Sequence, residues 1–110
     1  MEAVEQLKLE LSKVDRSKIY FTMKQLGIKF ITQESIDVVA ALAVCKKFGL
    51  HELTIELLSS ILQTSPTTLR NRLHTLGDKG IVELHYRVRE PVGCYYTYCL
   101  NGELKNILEV

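Results

Sequence analysis

The 110-residue sequence predicts a mainly α-helical domain that closes with a small β-hairpin. Three observations carry this. Apolar residues recur at three- and four-residue spacings from Val4 to Leu76; the period changes to two from Val82 to Val88; and Glu90-Pro91-Val92-Gly93 marks a turn before a second β-prone run, Cys94 to Leu100.

Each element follows in order. Residues 1–32 form an N-terminal helical extension, 33–101 the main domain, and 102–110 a short C-terminal helix. Val4, Leu7, Leu11 and Val14 make a helical seam, broadened by Leu9. Two heptads do not hold a coiled coil in isolation, so the seam either docks on its own domain or pairs in a homodimer. Asp15 is placed to cap a second helix, whose stripe of Ile19, Met23 and Leu26 stops at Gly27. Ile28 to Thr32 is a linker with Phe30 and Ile31 as apolar anchors. Ser35 caps a third helix carrying Ile36, Val39, Ala40, Leu42 and Ala43, with Lys46 and Lys47 in its last turn and Gly49 beyond. Thr54 caps a fourth, holding Ile55, Leu57, Leu58, Ile61 and Leu62. After Gln63-Thr64-Ser65, Pro66 opens a fifth helix with Leu69, Leu73 and Leu76 on one face, ending by Gly80. In the first strand Val82, Leu84, Tyr86 and Val88 alternate with Glu83, His85, Arg87 and Arg89. Leu104, Ile107 and Leu108 mark the terminal helix.

The totals narrow the function. At 46% apolar and 25% charged, the chain builds a core without staples and is not disordered. A net charge of +1 argues against a histone-like wrapping protein but permits a local basic face. Cys45, Cys94 and Cys99 have no CxxC spacing, and the last two, five apart in a strand, point to opposite faces, so buried thiols in a reducing cytosol are expected. Glu2, Glu5 and Glu10 replace the basic start of a signal peptide, and no apolar run approaches the roughly 18 residues of a membrane span. The expectation is a cytoplasmic protein without membrane contact. No nucleophile elbow, phosphate loop or HExxH motif is present, so neither an enzyme, a cofactor nor a metal is expected. His74 and His85 read as surface histidines with no Cys or carboxylate at ligand spacing, and His51 beside Glu52 reads the same way.

Three helices followed by a hairpin is the element order of a winged helix-turn-helix, and the three-residue break before Pro66 is its turn. With Leu69, Leu73 and Leu76 inward, Thr67, Arg70, Asn71 and His74 centre on the outer face at about 100° per residue, with Thr68 and Thr75 at its border. Arg reads guanine, Asn reads adenine, and Thr and Ser65 hydroxyls hold phosphates. Arg72 lies nearer the core side, as a flanking phosphate or structural contact. Residues 65 to 89 hold five cations (Arg70, Arg72, Lys79, Arg87, Arg89) against Asp78 and Glu83, giving +3. Arg87 and Arg89, with His85, are placed to follow a phosphate backbone. Gly77-Asp78-Lys79-Gly80 matches the GxxG loop of KH domains, but that loop joins two helices, and here a strand follows. Tyr86, Tyr95, Tyr96 and Tyr98 are expected to pack on the helices rather than stack on bases, with Tyr95 the most exposed.

Leu53-Thr54-Ile55-Glu56-Leu57-Leu58, Ser65 to Leu73, and Leu76-Gly77-Asp78-Lys79-Gly80-Ile81-Val82 resemble the winged helix-turn-helix transcription regulators of the MarR and TrmB type. The passage Leu-x-x-Lys-Gly-Ile-Val, from recognition helix to wing, is the most telling part. Tyr98-Cys99-Leu100-Asn101-Gly102 resembles the exit of the wing. The resemblance covers about residues 53 to 104. It implies sequence-specific binding of double-stranded DNA as a homodimer joined by the N- and C-terminal helices. The helix of about 66–79 would lie in the major groove and the wing of 87–93 on the backbone or minor groove. Many relatives carry Arg where this chain has Asn71, and this chain places Arg at 70 and 72 instead, so no sequence preference carries over. The alternative is a winged-helix protein-interaction module of a larger assembly, docking through the N-terminal helix; a small-molecule sensor is a third reading.

Overall fold

The computed structural model describes residues 2–50, 53–89, 93–102 and 104, with residues 2, 3, 87–89, 94 and 95 described as backbone only. Among these are five helices, α1 (Glu2–Ser12), α2 (Arg16–Gln25), α3 (Gln33–Lys47), α4 (Ile55–Leu62) and α5 (Pro66–Asp78). Strands β1 (Val82–Arg89) and β2 (Gly93–Leu100) follow as an antiparallel hairpin. The chain is therefore mainly helical with a two-stranded hairpin, in the predicted order.

Helix α3 is the centre. From Ser35 to Cys45 every residue but Asp37 is buried, so its surface must be covered nearly all round. Ala40, Ala41 and Ala43 carry little side chain, which lets neighbouring helices approach closely. Helices α1, α2, α4 and α5 and strand β2 all pack on it. Thr32, not Ser35, caps its start. The Thr32 hydroxyl accepts from the Ser35 amide at 3.1 Å while the Ser35 hydroxyl accepts from the Thr32 amide at 3.0 Å, a reciprocal box that places Ser35 one turn inside.

The N-terminal seam docks on its own domain. Leu7 and Leu11 are buried against α3 and α4, with Val4 and Val14 partly covered, whereas Leu9 stays exposed. The Arg16 guanidinium then ties three helices together. It pairs with Asp37 of α3 at 3.2 Å and donates to the Leu11 and Val14 carbonyls at 2.8 and 3.3 Å, adding a donor to the carbonyls where α1 ends. Asp15 caps α2 through the amides of Ser17 and Lys18, as its position predicts.

Several apolar residues sit elsewhere than their type suggests. Phe30, expected to anchor the linker, is 85% exposed and left-handed at φ 57°, and the anchoring falls to Ile28 and Ile31. Leu26 closes α2 rather than continuing its buried stripe, and is exposed. Leu53 precedes the Thr54 cap of α4: as a single bridging residue it exchanges both backbone hydrogen bonds with Tyr98 of β2, at 3.0 and 2.8 Å. Leu104 is buried, with its amide donating to the Asn101 carbonyl; the rest of the expected C-terminal helix, residues 105–110, lies outside the described residues.

Two outcomes follow. Burial pushes the Cys45 thiol from 9.0 to about 11. The unfolded chain's thiol ionises first, so the associated stability is full below about pH 9 and is lost as pH rises through about 11. Chemical denaturation across that window should show the stability gap between wild type and Cys45→Ala shift against wild type by about 2–3 kcal/mol, from two pKa units. A constant gap would contradict a protonated buried thiol. Phe30→Gly should raise stability by about 0.5–1 kcal/mol, because it relieves a left-handed non-glycine residue and forfeits almost no burial. Thermal melts of the two proteins decide it.

Candidate nucleic-acid interface

The turn between α4 and α5 is three residues long, and local hydrogen bonds define it. Gln63 ends α4 in the left-handed region at φ 52°, ψ 42°. The Ser59 carbonyl accepts from the Thr64 amide, and the Ser59 hydroxyl donates to the Thr64 carbonyl. Ser65 then caps α5 by accepting from the Thr68 amide at 3.3 Å, and Pro66 occupies the first helical position. Leu69, Leu73 and Leu76 are buried against the core, which sets the rotation of α5 about its axis.

That rotation leaves Thr67, Thr68, Arg70, Asn71, His74 and Thr75 exposed, with Arg72 half-buried, the distribution expected from the sequence. The hydroxyls divide by role. Ser65 donates to Thr68 Oγ1 at 2.9 Å, and Thr75 donates to the Asn71 carbonyl at 3.1 Å, so both already serve the helix. Among the described residues no hydrogen bond or ion pair engages the side chains of Asn71, Arg72 or His74. Asn71, Arg72 and Lys79 also line one side of a shallow groove, whose other side is Thr32, Glu34 and Ser35 at the start of α3.

The hairpin is held beside this helix at its base. The Ile81 amide donates to the Leu76 carbonyl at 2.9 Å, and Asn101 clasps the same corner from its amide to the Ile81 carbonyl and from its side chain to the Gly80 carbonyl, each at 3.0 Å. Gly77 lies within α5, and a Cβ there would stand 2.7 Å from Leu84 Cδ1, so its missing side chain leaves room for the Leu84 methyl group against the helix. A helical Gly77 followed by a strand also removes the KH-type loop. Tyr98 is buried between these parts. Burial raises its phenol pKa, while the Arg70 guanidinium, within electrostatic reach, acts in the opposite sense.

Farther out the packing ends. Tyr86 and Tyr96, expected against the helices, are 55% and 47% exposed and pack edge-on to each other at 5.5 Å. Arg87 and Arg89 lie on β1 opposite Tyr95 and Gly93; their side chains, with residues 90–92 of the wing and His51-Glu52, lie outside the described residues. His85 departs from its sequence reading: Glu83 and Cys99 stand beside it, brought there by strand parity and the Glu83↔Cys99 register.

No protein-family model matches the chain, and no curated protein matches it in sequence. No helix among the described residues is long and apolar enough to cross a membrane.

The inward and outward faces of α5 should respond oppositely to truncation. Arg70→Ala, Asn71→Ala and His74→Ala are each expected to change stability by no more than about 0.5 kcal/mol, whereas Leu73→Ala should cost about 2–5 kcal/mol. Urea titration of the four variants measures this, and a large loss at Asn71 would assign its side chain a structural task.

Proposed function

We propose that this chain is a winged helix-turn-helix protein of the MarR and TrmB type that binds double-stranded DNA and regulates transcription. The observation that carries the reading is the outer face of α5, where Thr67, Arg70, Asn71 and His74 project together and no hydrogen bond among the described residues engages the side chain of Asn71 or His74. Arg and Asn carry the donors and acceptors that read base edges, on a helix of 13 residues that suits a major groove. Arg72, at the flank of the helix, meets phosphates. The hairpin, with Arg87 and Arg89 on β1, follows the neighbouring backbone.

The dimer of that reading needs a surface other than the α1 seam, because Leu7 and Leu11 are buried within the chain. The same burial weakens the rival reading of a protein-interaction module docking through α1. Exposed Phe21 and Phe30 are what still favours that rival.

Binding to random-sequence duplex at several salt concentrations is the first test. The reading expects affinity near micromolar at low salt, falling with a log–log slope of several phosphate contacts. On a selected site, Arg70→Ala and Asn71→Ala should each cost about 1–3 kcal/mol, with a smaller loss on random DNA. Equal losses on both would restrict these residues to phosphate contact. No binding even at about 50 mM salt would sink the regulator reading.

A further inference from the structure

At the base of the hairpin three side chains of different chemistry converge. Glu83 and Cys99 are directly opposed across the two strands, and His85 is the next residue on the same face of β1. His85 Nε2 lies 3.1 Å from Glu83 Oε2 and 3.5 Å from Cys99 Sγ, and Cys99 Sγ lies 3.6 Å from Glu83 Oε2. All three residues are half-buried, open enough for an ion to enter from solvent.

The arrangement does not suit proton relay. A thiol–imidazole–carboxylate relay uses the two ring nitrogens for different partners, whereas here both the thiol and the carboxylate meet the same nitrogen, Nε2. The three donor atoms instead all lie within 4.8 Å of one another, close enough to share one ion. Tetrahedral zinc bonds of about 2.3 Å to sulfur, 2.05 Å to nitrogen and 2.1 Å to oxygen imply donor separations of about 3.6 Å for S···N, 3.6 Å for S···O and 3.4 Å for N···O. The observed triangle agrees with each to within about 0.3 Å. One thiolate, one imidazole and one carboxylate is also a donor set of intermediate softness, suited to zinc rather than to magnesium or calcium.

We propose that Glu83, His85 and Cys99 form a binding site for a zinc-class divalent cation, with a water molecule in the fourth position. On binding, the thiol proton passes to solvent and sulfur, nitrogen and oxygen each donate a lone pair to the ion. Because two ligands come from β1 and one from β2, the ion clamps the strands together at the point where the hairpin leaves the helices. The site stands on its own geometry and does not depend on DNA binding.

Cobalt(II) titration of the full, metal-free chain under a non-thiol reductant tests the site. The expected result is a thiolate-to-cobalt charge-transfer band with four-coordinate d–d absorption, saturating at one ion per chain and lost on adding zinc. Cys99→Ser should abolish the charge-transfer band with circular dichroism unchanged, and Cys45→Ala should retain it. Should Cys99→Ser not fold, His85→Gln and Glu83→Gln decide, each expected to leave the band unsaturated over the range that fills the wild type. The site is overturned by absence of the band in the folded wild type, by its survival in folded Cys99→Ser, or by wild-type titrations in both other variants; the three groups would then be a hydrogen-bonded cluster only.

Discussion

Everything in this fold is arranged around a helix whose middle, from Ile36 to Cys45, is apolar but for Asp37 and buried almost all round. With ten buried residues, α3 leaves uncovered apolar surface unless neighbours approach from several directions. At roughly 25 cal/mol per Å² of apolar area withdrawn from water, covering it is the main favourable term available to a chain of this size. That requirement explains why α1 and α2 belong to the same buried cluster as the later helices. It also explains why Arg16 reaches across three of them: the end of α1 must be joined to α2 and α3, and its guanidinium adds a donor to the carbonyls there.

The outer face of α5 is a by-product of the same requirement. Three leucines one turn apart are drawn to the core, and whatever occupies the other side of a helix with 3.6 residues per turn is presented to solvent in a fixed orientation. The hairpin is positioned relative to that face by contacts at one corner: Ile81, Asn101, the Leu53–Tyr98 pair, and the Leu84 methyl group resting where Gly77 has no side chain. Tyr98, buried in the core, also lies within electrostatic reach of Arg70, so the exposed face of α5 and the scaffold meet at this residue.

Local signals were legible in the sequence and longer-range ones were not. Asp15 and Thr54 cap helices because a side-chain oxygen two or three residues from an amide is a property of the segment alone. The α5 face was readable for the same reason, from periodicity. Ser35 misled because Thr32 and Ser35 form one reciprocal motif, in which either hydroxyl looks like the cap. The bridge between Leu53 and Tyr98 leaves no mark in the sequence, because a single bridging residue has no period. Tyr86 continues the apolar alternation of β1, but the strand runs past the edge of the helical body, where its ring meets Tyr96 of the neighbouring strand and stays half exposed. The Glu83, His85 and Cys99 cluster depends on hairpin register, which spacing along the chain does not reveal.

The paired rings of Tyr86 and Tyr96 make the outer hairpin optically distinct. The chain has no tryptophan, so nothing stronger masks tyrosine emission, and of its five tyrosines the three outside this pair are Tyr98 in the core, Tyr20 on α2 and Tyr95 on β2. Edge-on contact between two solvated phenols is sensitive to anything that separates or shields them. An event at this end of the molecule, whether a bound polyanion, an ion gripping the strands or a partner surface, therefore carries its own intrinsic spectroscopic label.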